Sequence, residues 1–475
     1  MANGENVTGL YVDRYELAMA LAYWQAGRAE EPACFDYFFR SNPFGNGYTL
    51  FAGLESLLDA LGEFAFSEND LAYLRGDGFP DGFLDYLRDF RFSGRIHAAR
   101  EGEVVFPHEP VARVEGGLLE TQVIETLTLN ALNFQSLIAT KAARCVRAAG
   151  DRAISEFGLR RGQGLGGFWA SRAAVIGGCA STSNVAAGRL YGVPTAGTMA
   201  HSFVQSHDNE LEAFRAFARI HGSATIVLLD TYDTLESGLP NAIRLAREMA
   251  ERGETLRGVR VDSGDLAYMA RVIRQRLDAE GLGEVKIVAS NQLDEWVIRS
   301  LNEQGAPIDL FGIGTKLAVG LPDAALDGVY KLSMADGAPR MKFSETLAKT
   351  TFPGIKSVTR HRDAEGRFEA DAIHLAEDGP PSAMRHPFEP RKRMSLDTFE
   401  SEPLLRLGLD GGRRAEDRTS VADAAAYARS RRDALPLEYH RFENPHTYKV
   451  GISPELEELR AATRDRLERE ATHSA

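Results

Sequence analysis

Between about Ala173 and Ile355, short runs rich in Val, Ile and Leu alternate with longer stretches in which apolar residues recur every three or four positions. The short runs at 225–229, 258–261, 285–289 and 310–313 predict buried strands, because a strand covered on both faces shows no polar alternation. The stretches 241–252, 265–279 and 294–303 predict helices. In the second of these, Leu266, Met269, Val272, Ile273 and Leu277 form one apolar stripe. Strand and helix repeated at this spacing build parallel sheet with right-handed crossovers, either as an open doubly wound sheet or as a closed barrel. The pattern is compatible with both. In both, catalytic groups gather at the C-terminal ends of the strands. Each predicted strand here ends in polar or small residues: Asp230 after the first, Arg260, Asp262 and Ser263 at the second, Ser290 and Asn291 at the third, Gly312, Gly314 and Thr315 at the fourth.

The flanks read differently. Helices are predicted at 13–26, 54–64 and 68–74 and short strands within 94–114, which suggests a smaller α+β domain. Beyond about Arg360 the pattern is again mixed, with a loop at Asp378-Gly379-Pro380-Pro381 and a charged terminal helix at 454–470 that opens on Pro454. The expected division is 1–130, 131–356 and 357–475, with the last segment packing beside the N-terminal domain.

A chain of 475 residues has room for two or three domains. Its 44% hydrophobic and 26% charged residues place it among globular chains rather than disordered or membrane ones. A net charge of −13 argues against nucleic acid as a partner, although a local cluster of Arg and Lys still holds an anion, because charges are screened over about 8 Å. Cys34, Cys145 and Cys179 are odd in number and far apart, which predicts neither a disulfide framework nor a metal-binding pair and fits a reducing, cytoplasmic setting. No stretch has the length and apolarity of a membrane span.

Several segments carry possible chemistry. Gly312-Ile313-Gly314-Thr315 after an apolar run has the form of a phosphate cradle, in which glycines let backbone N–H groups approach an anion and Thr315 adds a hydroxyl. The plainer reading is a structural turn, and the lysines that follow, Lys316, Lys331, Lys342 and Lys349, singly read as a solvated face. His201 lies among small residues in Gly197-Thr198-Met199-Ala200-His201-Ser202, at the end of a predicted strand. It reads either as a hydrogen-bonded structural group or as a nucleophile that a carboxylate orients, with Asp230 the best-placed acid. Arg260 and Asp262 fall on one side of their strand by period two, as a buried ion pair or as a fork for a carboxylate or phosphate beside an acid for a sugar hydroxyl. Phe157, with Arg160 and Arg161 just after it, is either core or a stacking face for a planar ring.

These segments together resemble the nicotinate phosphoribosyltransferase family. The likeness runs through Val12 to Leu17, Phe38 to Phe44, Ala139 to Arg144, Phe157 to Arg161, Gly197 to Val204, Val259 to Leu266, Phe311 to Lys316 and Tyr330 to Leu332, over roughly residues 8 to 356. It implies an irregular α/β barrel of the type II phosphoribosyltransferase kind, joined to a smaller α/β domain built from both chain ends. It also implies a homodimer with active sites at the subunit boundary. The implied reaction takes nicotinate, phosphoribosyl pyrophosphate, ATP and water to nicotinate mononucleotide, pyrophosphate, ADP and phosphate, with magnesium carried by ATP and phosphoribosyl pyrophosphate. By resemblance His201 is the histidine that ATP phosphorylates and Asp230 its orienting acid. Tyr15, arriving from the second subunit, and Phe157 sandwich the pyridine ring. Thr198 and Arg260 touch the nicotinate carboxylate, and Arg160, Asp262, Asn291, Gly314 and Thr315 surround ribose and phosphates. The cysteine-rich metal segment of some relatives is missing, so no structural zinc is expected, and Val12 stands where many members have threonine.

Ser183 bears on the choice of ring. Nicotinamide-using relatives place an acid near the amide, and Ser183 falls at or near that place. At roughly 4 Å a carboxylate there would repel nicotinate by about 4 kcal/mol for an effective dielectric near 20. Serine removes the obstacle. The competing readings are a nicotinamide phosphoribosyltransferase and a catalytically silent regulator that binds pyridine nucleotides.

Overall fold

Six parallel strands carry the polar tips. Across the sheet they run Ser181–Thr182, Ala153–Glu156, Leu310–Ile313, Lys286–Ser290, Gly258–Val261 and Ile226–Leu228 in the computed structural model, which describes residues 7–342, 351–389 and 391–473. All the pairings between them are parallel. The order is cyclic: Ala153–Glu156, first in the chain, pairs on one side with Ser181–Thr182 and on the other with Leu310–Ile313, the last. An open doubly wound sheet separates its first and last strands, so this is barrel order. A single parallel bridge from Thr182 to Thr195 continues it. No pairing among the described residues joins Thr195 to Ile226–Leu228, and the α/β barrel is irregular there.

Burial explains why Leu310–Ile313 reads as an unbroken apolar run. Phe311 and Ile313 point to opposite faces from Gly312 and Leu310, and Phe311, Gly312 and Ile313 are all buried. The helix Leu266–Ala279 buries Ala267, Ala270, Ile273 and Leu277; Ile273 and Leu277 belong to the predicted stripe, while in the first half of the helix the inner face lies one position along from it. Alanines let the helix approach its neighbours closely, and the larger Leu266, Met269 and Val272 are half-buried at the margin. Asp265 and Asp294 each cap the helix that follows, accepting from Tyr268 N and from Trp296 N and Val297 N.

The chain divides into one unit from Ile138–Ala324, which holds this barrel, and another from Met1–Leu137 with Ala325–Ala475. The expected barrel boundary at 356 is therefore corrected. Gly328–Ala335 joins the other unit by pairing antiparallel with Pro32–Phe39, whose opposite edge pairs with Ala112–Gly117. Arg406–Asp410 extends the same sheet beside Arg95–Ala98. A second sheet in that unit centres on Lys356–Arg362 and Phe368–Leu375. Its fully buried Arg360 binds Asp371 through Nε and Nη2 at 2.9 and 2.6 Å and also pairs with Glu103, so the charge is compensated.

Candidate active site

His201 opens the short helix His201–Gln205 and does not end a strand as expected. After Thr195 the neighbouring backbone offers no further edge, because Ser183 N already donates to Glu156 O and Asn184 caps the helix Val185–Tyr191. The chain therefore turns away through Gly197 and Thr198 before the helix begins. The His201 Nε2 lies 3.5 Å from Asp230 Oδ1, with the imidazole 42% and the carboxylate 2% exposed. Asp230 Oδ2 accepts from Asp262 N at 3.0 Å and from the Ser263 hydroxyl at 2.6 Å. Oδ1 is buried and accepts no hydrogen bond, so the acid is anchored by one oxygen and faces the histidine with the other. A carboxylate held in this way orients an imidazole and stabilises its cation.

Arg260 joins three segments. Its Nη1 donates to Thr198 Oγ1 at 2.7 Å and to Met199 O at 3.3 Å, and its Nε donates to Ser290 Oγ at 3.0 Å. Nη2 stands 3.7 Å from Asp262 Oδ1, the same-side relation that period two predicts, and Ser290 Oγ donates to that carboxylate. Beyond Ser290 the chain turns sharply: Asn291 and Gln292 have φ of 78° and 52°, left-handed values that non-glycine residues adopt at a cost of order 1–3 kcal/mol each. Asn291 is exposed at that turn.

Phe157 N donates to Ile313 O at 2.7 Å, which fixes the residue beside the last strand. Its ring lies against Gly312, where an added Cβ would also stand 3.4 Å from Ser290 Cβ. The ring wall thus adjoins the Arg260 cluster. Gly314 precedes the short helix Thr315–Ala318, so Thr315 heads a turn whose first N–H groups have no partner within the helix. Arg160 is exposed in the helical turn Leu159–Arg161. Ser183 is half-buried between Thr182 and Asn184.

Tyr15 is exposed on the helix Arg14–Gln25 of the other unit. Partial burial, and then the nearby carboxylates of Glu125, Glu16 and Asp13, hold its hydroxyl above its usual pKa. Lys316 is tied to Asp294 at 2.6 Å. Lys331 belongs to the strand Gly328–Ala335 in the other unit, Lys342 is exposed, and Lys349 lies outside the described residues.

Glu156 was not singled out from the sequence. Glu156 is fully buried at the end of Ala153–Glu156, and its Oε2 accepts from Ser171 Oγ at 3.0 Å and Thr182 Oγ1 at 2.6 Å while Oε1 accepts from Gly158 N. The signal was an acid closing an apolar strand immediately before Phe157-Gly158.

Family models of the nicotinate phosphoribosyltransferase (NAPRTase) N-terminal domain, family and C-terminal domain match residues 10–133, 153–371 and 355–460. A nicotinate phosphoribosyltransferase of Bacillus subtilis is 39% identical over 455 residues, covering 94% of this chain and 92% of the relative. One from Mycobacterium tuberculosis is 42% identical over 460 residues, covering 96% and 94%. The crystal structure of human nicotinic acid phosphoribosyltransferase superposes with a TM-score of 0.84 at 34% identity, over 94% of this chain and 98% of that one. Nicotinate-nucleotide pyrophosphorylase from Pyrococcus furiosus, at 22% identity and a TM-score of 0.71, shares the fold.

Proposed function

The chain belongs to the nicotinate phosphoribosyltransferase family, whose enzymes serve NAD biosynthesis, and we propose that it makes nicotinate mononucleotide through a phosphate carried on His201. The substrates are nicotinate, phosphoribosyl pyrophosphate, ATP and water; the products are nicotinate mononucleotide, pyrophosphate, ADP and phosphate. The observation that carries the reading is Asp230, anchored through Oδ2 and turned through Oδ1 toward His201 Nε2. With Nε2–H directed at this acid, the Nδ1 lone pair is free to take the γ-phosphoryl group of ATP as ADP departs. The phosphohistidine adds negative charge near the pyrophosphate site, changes the affinities for substrate and product, and is hydrolysed to reset the enzyme.

In the transfer step the bond from sugar C1 to the pyrophosphate oxygen breaks, oxocarbenium character develops at C1, and the ring nitrogen attacks. Phe157 on one side, and Tyr15 of the second subunit of a homodimer on the other, hold the ring in line, so much of the rate comes from positioning. Arg260 and Thr198 receive the nicotinate carboxylate. Asp262 takes ribose hydroxyls, while Arg160, Asn291, Gly312, Gly314 and Thr315 surround ribose and phosphates. Magnesium carried by the polyphosphate substrates would supply the charge neutralisation that the departing pyrophosphate needs. The reaction is cytoplasmic on this reading, and among the described residues no helix is long and apolar enough to cross a membrane. Pyrophosphate release measured with nicotinate, nicotinamide or neither, each with and without ATP, tests it. Release with nicotinate that ATP stimulates is the expected result; release with nicotinamide alone, or with neither ring, would sink it.

A further inference from the structure

Glu156 closes a ring of hydrogen bonds whose members flank Ser183 along the chain. Its Oε2 accepts from Ser171 Oγ and from Thr182 Oγ1. Asn184 completes the circuit, donating from Nδ2 to Ser171 Oγ at 3.2 Å and from its backbone N to Thr182 Oγ1 at 3.0 Å. Ser183 thus lies between two members of the ring, and its own N–H donates to the Glu156 carbonyl at 2.8 Å. The other carboxylate oxygen accepts from Gly158 N, the residue after Phe157. Gly158 has no space to move: a Cβ there would collide with Ala318 and stand 3.0 Å from Gly314 O. One buried carboxylate therefore holds the Phe157 wall, the Ser183 segment and the turn packed on Gly314 in a single arrangement.

We propose that Glu156 is a positioning residue for ring selectivity, setting the gap between the Phe157 ring and Ser183 into which the pyridine carboxylate fits. The proposal rests on the reading that Phe157 and Ser183 face nicotinate. Every contact that Glu156 makes here is as an acceptor, and a carboxamide presents a donor in place of one oxygen. If the amide nitrogen takes the place of Oε2, Thr182 and Ser171 lose their acceptor and the ring opens; if it takes the place of Oε1, it meets the Gly158 N–H donor to donor and that tie is lost.

The test is steady-state kinetics of Glu156→Gln with both rings, beside Phe157→Leu and with folding checked by thermal melting. For Glu156→Gln, KM for nicotinate is expected to rise about tenfold, the scale of one lost buried hydrogen bond, with KM for phosphoribosyl pyrophosphate changed by less than about threefold. The preference for nicotinate over nicotinamide should fall with it. A uniform loss of kcat with both KM values and the ring preference unchanged would overturn the proposal. Wild-type kinetics in Glu156→Gln beside a raised nicotinate KM in Phe157→Leu would overturn it alone. An unchanged nicotinate KM in Phe157→Leu would instead remove the underlying reading. Should Glu156→Gln fail to fold, Ser171→Ala deletes one hydroxyl of the ring and is expected to raise nicotinate KM about threefold; no rise there overturns the proposal.

Discussion

Gly312 and Phe157 compete for one volume: a Cβ on Gly312 would stand 2.5 Å from Cε2 of the ring. The missing side chain lets the aromatic face lie over the end of Leu310–Ile313 beside Ser290, next to the Arg260 cluster. Gly312→Ala must displace the ring, since carbon atoms do not approach so closely. Nicotinate KM is expected to rise about tenfold, the loss of one good stacking contact. Steady-state kinetics with nicotinate as the varied substrate checks this, and an unchanged KM would show that the ring does not form the wall.

His201→Ala is expected to abolish ATP-dependent stimulation and to leave slow ATP-independent transfer. Asp230→Asn keeps the shape of the acid but not its charge, and should weaken the ATP coupling without removing the histidine. Acid-labile label taken up from ATP carrying radioactive γ-phosphate reads the step directly. Label on the His201→Ala protein at the wild-type level would refute the assignment.

A carboxylate introduced at position 183 should repel the acid ring and accept from the amide. Ser183→Asp is expected to shift the preference from nicotinate toward nicotinamide on the order of a hundredfold, somewhat below the full Coulomb value because water shares the site. The ratio of kcat/KM for the two rings measures it. A ratio unchanged from wild type would mean that residue 183 does not face the ring substituent.

Glu16 supplies a pH dependence. Burial, opposed by hydrogen bonds from Thr126 and reinforced by Glu125, pushes its carboxyl from the ordinary 4.5 up to about 8. The folded chain then holds a proton that the unfolded chain releases. The stability this contributes is complete below the unfolded value and is lost as pH rises through about 8. Glu16→Gln keeps an acceptor for Thr126 and does not titrate, so its Tm should fall less than that of wild type between about pH 5 and about pH 9. Parallel Tm curves for the two proteins would contradict the shift.

By itself the sequence determined the repeating strand and helix of the barrel and the polar residues at each strand end. Both follow from local pattern: Leu310–Ile313 appears with the expected bounds because a strand buried on both faces reads as a continuous apolar run, and Gly258–Val261 does so with Arg260 as its one charged position. Tertiary structure decided the closure, since pairing of Ala153–Glu156 with Leu310–Ile313 joins segments that no local pattern relates. It also carried Gly328–Ala335 into the other unit, where Pro32–Phe39 offers an edge. The meeting of Arg260 with Thr198 across 62 residues, the capture of Lys316 by Asp294, and the ring that Glu156 closes have the same origin. A hydrophobic period states which face a residue takes; which distant partner stands opposite is settled only when buried donors and acceptors must all be satisfied at once.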